Sequence, residues 1–526
     1  MSPIGTRRGF LADVGRGMLL ASVGSGLAVD MGLAPTAWAA ELADGPLTFG
    51  EREPLVRFMQ ETAPEELLPA LQKKLEGGAS LKELLTAAAL ANGRTFGGED
   101  YIGFHTLMAL GPAWHMAQEL PERERALPVF KVLYRNAARI RETGGHEKEV
   151  LQAVVPLDGK ADGVALREAS RKLERARAEG MLAALERQSV EDAFNALLME
   201  VEDETEVHRV ALPYRAWDLM GIIGRDHALT FLRQSLRYCV KAEPKGKSAT
   251  REVLARVFDQ FGLEGKTPGD RQPDDAWIEA FSRTLLSSEP AAAAEAAAAA
   301  LVEGIAPSAI TEAAAVAANQ ILLRDPGRPE KYSSANKPPG SVHGDSIGLH
   351  CCDAVNAWRN IARVANARNQ FAATVLASYQ VARDRILPGS EGERFIDREP
   401  LPRTADQEKF RLAGDPGRVL EEVETAIRSN DQVQAAAAVH HYGKLTNNPV
   451  PVFNLLRRYA VSEDGDLHAE KYFRTATEEF ASVRPRFRWN QLVALARVTA
   501  SEHGYPAPGY AEACRLLGMR SLSSRG

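Results

Sequence analysis

The sequence predicts an all-α fold, and three observations support this prediction. Apolar residues recur at steps of three and four along most of the 526-residue chain, as they do on the buried face of a helix. Ala291–Ala300 contains nine alanines and one glutamate, and alanine has the highest helix propensity. No segment shows the sustained alternation of apolar and polar residues that is typical of a half-buried strand.

The helical period is clearest in the segments Leu67–Lys74, Leu81–Ala91, Leu166–Leu185, Val190–Met199 and Thr250–Phe261. Asn92-Gly93 follows the second of them and is predicted to end that helix rather than to form a hairpin turn. Connectors rich in Pro, Gly, Lys and Asp separate the helices at Val155–Asp162, Lys241–Lys247 and Gly265–Asp274. Two longer connectors, Arg324–Gly344 and Leu387–Pro416, have the length of lids or binding loops.

The composition excludes several classes of protein. With 45% hydrophobic and 25% charged residues, the chain can bury a large core. Its net charge of −6 is too balanced for electrostatic binding of nucleic acid. Four cysteines without a CxxC pair exclude a dense disulfide framework and covalently attached c-type haem. No apolar run reaches the roughly 18 residues of a membrane span.

The N-terminus carries a targeting pattern. The pair Arg7-Arg8 precedes Gly9-Phe10-Leu11, a weakly apolar stretch covers Met18–Ala34, and small residues near Ala39 suit cleavage after that residue. This segment resembles a twin-arginine (Tat) export signal, and the alternative is a basic amphipathic helix. The resemblance implies a bacterial protein that the Tat translocase exports, folded, to the periplasm or beyond. Tat substrates often carry a cofactor inserted before export, so a bound cofactor is expected.

We therefore expect residues 1–39 to be a signal peptide and residues 40–526 to form one large helical-repeat domain. No low-complexity linker separates independent domains, although lobes of residues 40–300 and 301–526 are possible.

An internal repeat underlies the domain prediction. Three stretches have an Asp five residues before a His and a Trp eight or nine residues after it: Asp100-His105-Trp114, Asp203-His208-Trp217 and Asp345-His350-Trp358. A tyrosine follows each His after 29 or 30 residues, at Tyr134, Tyr238 and Tyr379. Matched spacing of three rare residue types indicates duplication.

Each repeat is predicted to be a pair of helices. The Asp caps the first helix, because its carboxylate can accept the free amide hydrogens there. The second helices are Leu127–Tyr134, Ala228–Tyr238 and Phe371–Tyr379. Stacked helix pairs form solenoids or closed toroids, so the sequence predicts a bundle of repeated pairs around a central pocket.

A fourth repeat is degraded, and the sequence leaves its histidine open. His440 and His441 precede a segment that echoes the second helix of the first repeat. The alternative is His468, which has an acidic residue, Glu463, five positions before it. Neither candidate has the Trp of the other repeats.

The repeated histidines suggest a metal site. Imidazole is a preferred ligand of zinc, copper and iron, and equivalent histidines on an inner ring of helices can converge on one ion. His105, His208 and His350 are the candidate ligands, and His343 could join them from the long loop. The alternative is that they are core residues copied with their packing.

Further residues complete the hypothesis. Asp100, Asp345, Tyr134 and Tyr379 are the candidate catalytic residues: the aspartates could be further ligands or could orient the imidazoles, and the tyrosines would shape the cavity. Vicinal Cys351-Cys352 can supply a thiolate, but within a helix such residues usually serve as small apolar side chains. The loop Arg324–Gly344, with Lys331, Lys337 and His343, is predicted to be a lid, and the alternative is a surface insertion.

The His208–Tyr238 and His350–Tyr379 units are similar to the questin oxidase-like family of mostly helical proteins. The resemblance implies oxidative chemistry, and no residue role is carried over from it. The sequence thus predicts an exported, metal-dependent oxidoreductase that acts on a small organic substrate. The contrary hypothesis is a metal-free helical-repeat protein that binds a partner in the cell envelope.

Overall fold

The computed structural model of the protein describes residues 45–387, 390, 392–410 and 413–522. In these ranges the chain forms 23 α-helices, a few short 3-10 turns and only isolated β-bridges, so the prediction of an all-α protein is confirmed. The predicted signal peptide, residues 1–39, lies outside the described residues. No helix of the described ranges is both long and apolar enough to cross a membrane.

The helices of the first half of the chain are α1 (Glu53–Glu61), α2 (Pro64–Glu76), α3 (Leu81–Phe96), α4 (Tyr101–Gln118), α5 (Ala126–Glu142), α6 (Gly163–Arg171), α7 (Arg175–Glu186), α8 (Val190–Val201), α9 (Val207–Ile223), α10 (Ala228–Lys241) and α11 (Ala249–Phe261). Those of the second half are α12 (Asp275–Ser287), α13 (Pro290–Val302), α14 (Pro307–Arg324), α15 (Ile347–Val364), α16 (Ala367–Asp384), α17 (Thr404–Glu408), α18 (Pro416–Arg428), α19 (Gln432–Leu445), α20 (Val450–Ser462), α21 (His468–Ser482), α22 (Pro485–Glu502) and α23 (Tyr510–Leu516).

Two local predictions are corrected. The predicted helix Leu166–Leu185 is two helices, α6 and α7, because Leu173 takes a left-handed conformation with φ of 60° between them. Asn92-Gly93 does not end α3, which continues to Phe96 and stops at a left-handed Gly97. The Asn92 side chain is instead buried and donates hydrogen bonds across to α4 and α5, so tertiary contacts carry the helix through this pair.

Four helices, which we call the inner helices, contact one another in a cycle. α4 contacts α9, α9 contacts α15, α15 contacts α21, and α21 contacts α4 again, so the four make a closed cycle of neighbours. Each of them is followed in the chain by a helix that packs on it: α5, α10, α16 and α22 respectively. The cycle places the N-terminal parts of the four inner helices together, and this is where the repeated histidines lie.

Three of the four inner helices begin where a polar side chain accepts a hydrogen bond from a free backbone amide, whereas α21 has no such cap. Asp100 caps α4 by accepting a hydrogen bond from the Gly103 amide at 2.7 Å. The predicted capping role is wrong for the other two aspartates, since Glu206 caps α9 and Ser346 caps α15. Glu206 and Ser346 stand nearer to the helix start, so Asp203 and Asp345 are free to pair with basic side chains instead.

Candidate functional site

Four imidazoles meet at the centre of the cycle, one from the N-terminal part of each inner helix: His105, His208, His350 and His468. The Nε2 atoms of His105 and His208 are 3.2 Å apart, and those of His350 and His468 are 3.1 Å apart. Ring centroids link the two pairs at 5.1 Å between His105 and His468 and at 5.6 Å between His208 and His350. We call these residues the imidazole cluster.

Hydrogen bonds on the outer side of the rings fix their orientation. Nδ1 of His105 lies 2.6 Å from the Tyr101 carbonyl oxygen. Nδ1 of His208 lies 2.5 Å from Oε1 of Glu206, and Nδ1 of His468 lies 3.1 Å from the backbone carbonyl of Asp466. Carbonyl and carboxylate oxygens only accept hydrogen bonds, so each of these Nδ1 atoms donates. In the neutral form of these three rings, the Nε2 lone pair therefore lies on the side of the neighbouring imidazole.

The local backbone explains two of these contacts. Glu206 is the N-cap of α9 and also accepts a hydrogen bond of 2.6 Å from the Tyr238 hydroxyl, which holds its carboxylate behind His208. Before α21, Asp466 and Leu467 both take left-handed conformations, with φ of 50° and 64°. Such conformations are costly for residues with side chains. Here they turn the Asp466 carbonyl toward His468.

Burial disfavours the charged form of three of the four imidazoles. It lowers the pKa of His105 and His468 well below 6.5, and the nearby Lys471 acts in the same direction. Burial and the neighbouring His208 lower the pKa of His350 to about 3. Burial alone acts to raise the pKa of Glu206, but His208 and its hydrogen bond, together with that from Tyr238, lower it instead. Neutral imidazole is the form that binds metal ions.

A small cavity adjoins the cluster. Its walls are His208, His350 and His468 on one side, and it is closed by Met108, Val207, Ala211, Arg215, Asp353 and Lys471. Its free volume of about 10 Å³ has room for roughly one water molecule. Burial raises the pKa of Asp353 and lowers the pKa of Lys471 to about 7. A carboxyl group with a raised pKa and an amine with a pKa of about 7 thus stand beside the imidazoles.

The cluster approaches the surface at Tyr101. This side chain is 48% exposed, and its ring lies 4.3 Å from that of His105 and 5.7 Å from that of His208. Partial burial and the carboxylates of Asp345 and Glu206 raise the pKa of Tyr101. Tyr101 is therefore the part of the site that bulk solvent touches first.

The long loop is anchored beside this opening. Nζ of Lys337 lies 3.1 Å from Oδ1 of Asp345 and 2.8 Å from Oδ2 of Asp466, so it joins the starts of α15 and α21. Lys331 does not reach the cluster, since it lies over the ring of Tyr332. The loop is held by ion pairs at its base; its role as a lid stays a prediction.

The structure places the remaining predicted residues elsewhere. His343 binds the Ser501 hydroxyl and the Asn336 carbonyl, both at 2.8 Å, and lines a separate cavity of about 290 Å³. Tyr134 packs against Gly509, and Tyr379 lies in α16 with a hydrogen bond to Thr250. Asp100 forms a double hydrogen bond with Arg139, and Asp345 pairs with Arg328. In the described contacts, none of these five side chains joins the imidazole cluster.

The structure also decides the histidine of the fourth repeat. His468 belongs to the cluster, whereas Nε2 of His441 bonds to the Ala413 carbonyl at 2.6 Å. The spacing of Glu463 before His468 was the usable signal in the sequence. Glu463 does not act as the capping residue, because it pairs with His503 and accepts the Gly504 and Tyr505 amides.

No protein-family model, curated protein or solved structure matches the chain. As the side chains stand, no group of three or more His, Cys, Asp or Glu residues in the described ranges forms a ready-made metal site. The Nε2 contacts join the cluster as two pairs, and the pairs would have to draw together around an ion.

Proposed function

We propose that the imidazole cluster binds one transition-metal ion and that the protein is a metal-dependent oxidoreductase acting on a small organic substrate. The observation that carries the proposal is the meeting of four imidazoles as two Nε2-to-Nε2 pairs. Three of the four rings are turned that way by an acceptor behind Nδ1. Hydrogen bonds of this kind, from Nδ1 to a carboxylate or a carbonyl, accompany most metal-binding histidines.

The distances support this reading. Four nitrogens at about 2.0–2.1 Å from one ion in a tetrahedron are about 3.3–3.4 Å from each other. The observed Nε2 separations of 3.2 and 3.1 Å are close to that edge. Iron, copper and zinc all accept imidazole ligands, so the donor set fits each of these ions.

The pair His105–His208 needs a cation if both Nδ1 atoms donate outward. Two Nε2 lone pairs 3.2 Å apart would otherwise repel each other. The cation between them is either a metal ion or an additional proton on one ring. Either cation lies near the Glu206 carboxylate and adds positive charge to a buried region that also holds Lys471 and Arg215, so charge alone does not distinguish them. A metal ion would serve both pairs at once, and so it accounts for more of the geometry.

When bound, such an ion supplies Lewis-acid or redox chemistry. The chain itself supplies orientation and exclusion of water. Glu206 and the carbonyls of Tyr101 and Asp466 hold the rings. Met108, Val207 and Ala211 line the cavity with apolar groups. Lys471 and Asp353 are placed to hold or release a proton there. The cavity is too small for an organic molecule, so we infer that the substrate approaches from the Tyr101 side.

The predicted toroid, Tat export and oxidative chemistry are also part of the proposal, and each has its own support. The closed cycle of contacts among α4, α9, α15 and α21 supports a toroid of helix pairs around a central site. The residues around Arg7-Arg8 support export through the Tat translocase with the ion already inserted. Oxidative chemistry rests on the resemblance of two repeats to the questin oxidase-like family.

Elemental analysis tests the proposal. Protein expressed with its own N-terminal segment and purified from the periplasm should hold close to one transition-metal ion per chain. Removing the ion with a chelator should lower thermal stability, because a ligand that binds only the folded state stabilises it. Metal-free protein with full helicity and an unchanged melting temperature would favour the metal-free binding scaffold instead.

A further inference from the structure

A second cavity, separate from the imidazole cluster, lies between the ends of α20 and α22 and the start of α21. Its volume of about 290 Å³ is close to the lower limit for small-molecule sites, about 300 Å³. Pro506 and Pro508 at its rim are exposed, whereas Glu502, the last residue of α22, is only 3% exposed. Asp464 and Asp466 also line it. We call it the acidic cavity.

Four of the five carboxyl groups in and around this cavity already have a basic partner. Asp464 lies 3.4 Å from Arg135, Asp466 2.8 Å from Lys337, Glu470 2.6 Å from Lys131 and Glu463 3.4 Å from His503. Glu502 is the fifth, and the described contacts give its carboxyl group neither a hydrogen bond nor an ion pair. Its Oε1 is buried against Gly465, where there is no room for a Cβ atom. A buried polar group without a partner is unusual, and one that lines a cavity points to a ligand.

Lys131 acts on Glu502 but is bonded elsewhere. Burial raises the pKa of Glu502 well above 4.5, and the charge of Lys131 opposes that rise without cancelling it. The Lys131 ammonium bonds to the carbonyls of Ala460 and Glu463 and pairs with Glu470. These three acceptors match its three N–H donors. The fold therefore leaves Glu502 short of positive charge, which a bound cation would supply.

Other features of the acidic cavity also favour a cation. Both α20 and α22 end here, and helix C-termini carry partial negative charge, although the start of α21 acts in the opposite direction. Tyr505 lines the cavity, and aromatic rings attract cations that approach their faces. Among the described residues of the lining there is no lysine or arginine. The ring nitrogens of His343 are already bonded to Ser501 and Asn336.

We propose that the acidic cavity binds a small organic molecule with a primary ammonium group, which donates hydrogen bonds to the Glu502 carboxylate. The inference goes beyond the proposed function and needs no metal ion in the imidazole cluster. An oxygen acceptor without a partner requires an N–H donor, so a primary ammonium group fits better than a quaternary one. The volume leaves room for an apolar part of the molecule beside Tyr505 and the two prolines. A bare metal ion fits less well, because the described side chains form no group of three ligands here.

Isothermal titration calorimetry of the full-length protein, as purified and in an amine-free buffer, tests the site with benzylamine as the probe. Benzylammonium should bind one-to-one. Benzyl alcohol has a similar shape without the charge, and benzyltrimethylammonium has the charge without N–H donors. Each of these two should bind about tenfold more weakly or worse, because each lacks the charge-assisted hydrogen bond.

Glu502→Gln should raise the benzylammonium dissociation constant by about tenfold or more, because it removes the charge of the acceptor. Glu200→Gln is the matched control, since Glu200 is also a buried glutamate but does not line the acidic cavity. It should stay within about twofold of the wild type. If far-UV circular dichroism shows that Glu502→Gln does not fold, Glu502→Asp takes its place. That variant keeps the charge but withdraws the carboxylate by one methylene group, and it should weaken binding by about threefold or more.

Three results would each overturn the site. The first is the absence of benzylammonium binding to the wild type at millimolar concentration. The second is equal benzylammonium affinity in the wild type and in the folded Glu502 variant. The third is binding of benzyl alcohol or benzyltrimethylammonium as tight as that of benzylammonium, and this selectivity of the wild type decides even if neither variant folds.

Discussion

Two buried polar regions of the molecule differ in how their hydrogen-bonding atoms are paired. In the outer layer, Glu179 of α7 lies between Arg233 and Arg237 of α10, with Oε1 of Glu179 2.7 Å from Nη1 of Arg237 and Oε2 3.0 Å from Nε of Arg233. All three side chains are buried, and both carboxylate oxygens are bonded to donors. In the imidazole cluster, nitrogen faces nitrogen, and the rings find their acceptors only on the outside.

The difference shows that burial of polar groups does not by itself mark a functional site. The Glu179 cluster is closed around its carboxylate, because both oxygens accept hydrogen bonds from the two arginines, although Nε of Arg237 has no hydrogen-bond partner. The imidazole cluster is open, because satisfying Nδ1 leaves Nε2 without a donor. Variants in the two regions should therefore separate stability from metal binding.

The largest expected effect is on metal affinity. The double variant His208→Ala/His350→Ala removes one ligand from each imidazole pair. A four-ligand structural zinc site binds with about 10–16 kcal/mol, so loss of half the ligands should cost about 5–8 kcal/mol. Metal content after dialysis should fall from about one ion per chain to background, as measured by elemental analysis.

A matched pair of histidines outside the cluster provides the control for this variant. His115 is paired with Asp218 at 3.1 Å, and His440 lies on α19. His115→Ala/His440→Ala should retain the full metal content. Equal loss of metal from both double variants would mean that the ion is bound nonspecifically, and the distinction between an open and a closed region would fail.

The second effect concerns stability. Glu179→Ala leaves Arg233 and Arg237 buried without their shared carboxylate, and breaking one side of a buried ion pair typically costs about 3–5 kcal/mol. Urea unfolding should report that loss, while the metal content of the folded fraction should not change. Glu279→Ala, which breaks exposed pairs with Arg283 and Arg486, should cost less than about 1 kcal/mol.

The repeat made much of this architecture predictable from the sequence. Apolar periodicity gave the helices, and the matched spacing of Asp, His and Trp singled out three of the four histidines that meet. The matched spacing identified these histidines because His105, His208 and His350 all lie near the starts of their helices. The sequence could not show that the rings are turned inward, since that depends on backbone carbonyls and on Glu206.

The misses have local causes. His468 lacks the Trp of the other repeats, and its helix start is irregular because Asp466 and Leu467 are left-handed. His343 was predicted as a ligand because it lies seven residues before His350. The loop that carries it folds onto Ser501 of α22, however, and both of its ring nitrogens are bonded there or to Asn336. Contacts between distant segments decided both cases.

The third effect is on the orientation of one ring. Glu206→Gln should weaken metal binding by about 10–100-fold, because a neutral amide oxygen holds the Nδ1 hydrogen of His208 less strongly than a carboxylate. A competition titration against a chelator of known affinity measures this change. Glutamine has one carbonyl oxygen, so it can accept either the Nδ1 hydrogen of His208 or the Arg209 amide but not both, and the far-UV circular dichroism of the variant should be compared with that of the wild type.

The hydroxyl of Tyr238 offers a graded comparison for that variant. Tyr238→Phe removes the hydrogen bond to the other oxygen of Glu206 but keeps the charge, so metal affinity should fall by less than in Glu206→Gln. The same affinity in all three proteins would show that Glu206 only caps the helix.

The smallest effect distinguishes two buried glutamates by the sign of their pH dependence. Burial raises the pKa of Glu200 well above 4.5, with Arg209 opposing, whereas Arg233 and Arg237 lower the pKa of Glu179 against the effect of burial. The contribution of Glu200 to the free energy of unfolding is therefore complete below about pH 4.5 and is lost as the pH rises through its folded pKa. The contribution of Glu179 is present above about pH 4.5 and is lost as the pH falls below that value. At neutral pH, Glu200→Gln should raise the free energy of unfolding by about 1 kcal/mol or less, and the gain should shrink toward pH 5. Glu179→Gln should instead lower the free energy of unfolding at pH 7 and approach the wild type in acid. Urea unfolding of both variants between pH 4 and 8 measures how the free energy of unfolding, relative to the wild type, changes with pH. The two changes should have opposite signs. The same sign in both variants would contradict the conclusion that the fold favours ionised Glu179 and protonated Glu200.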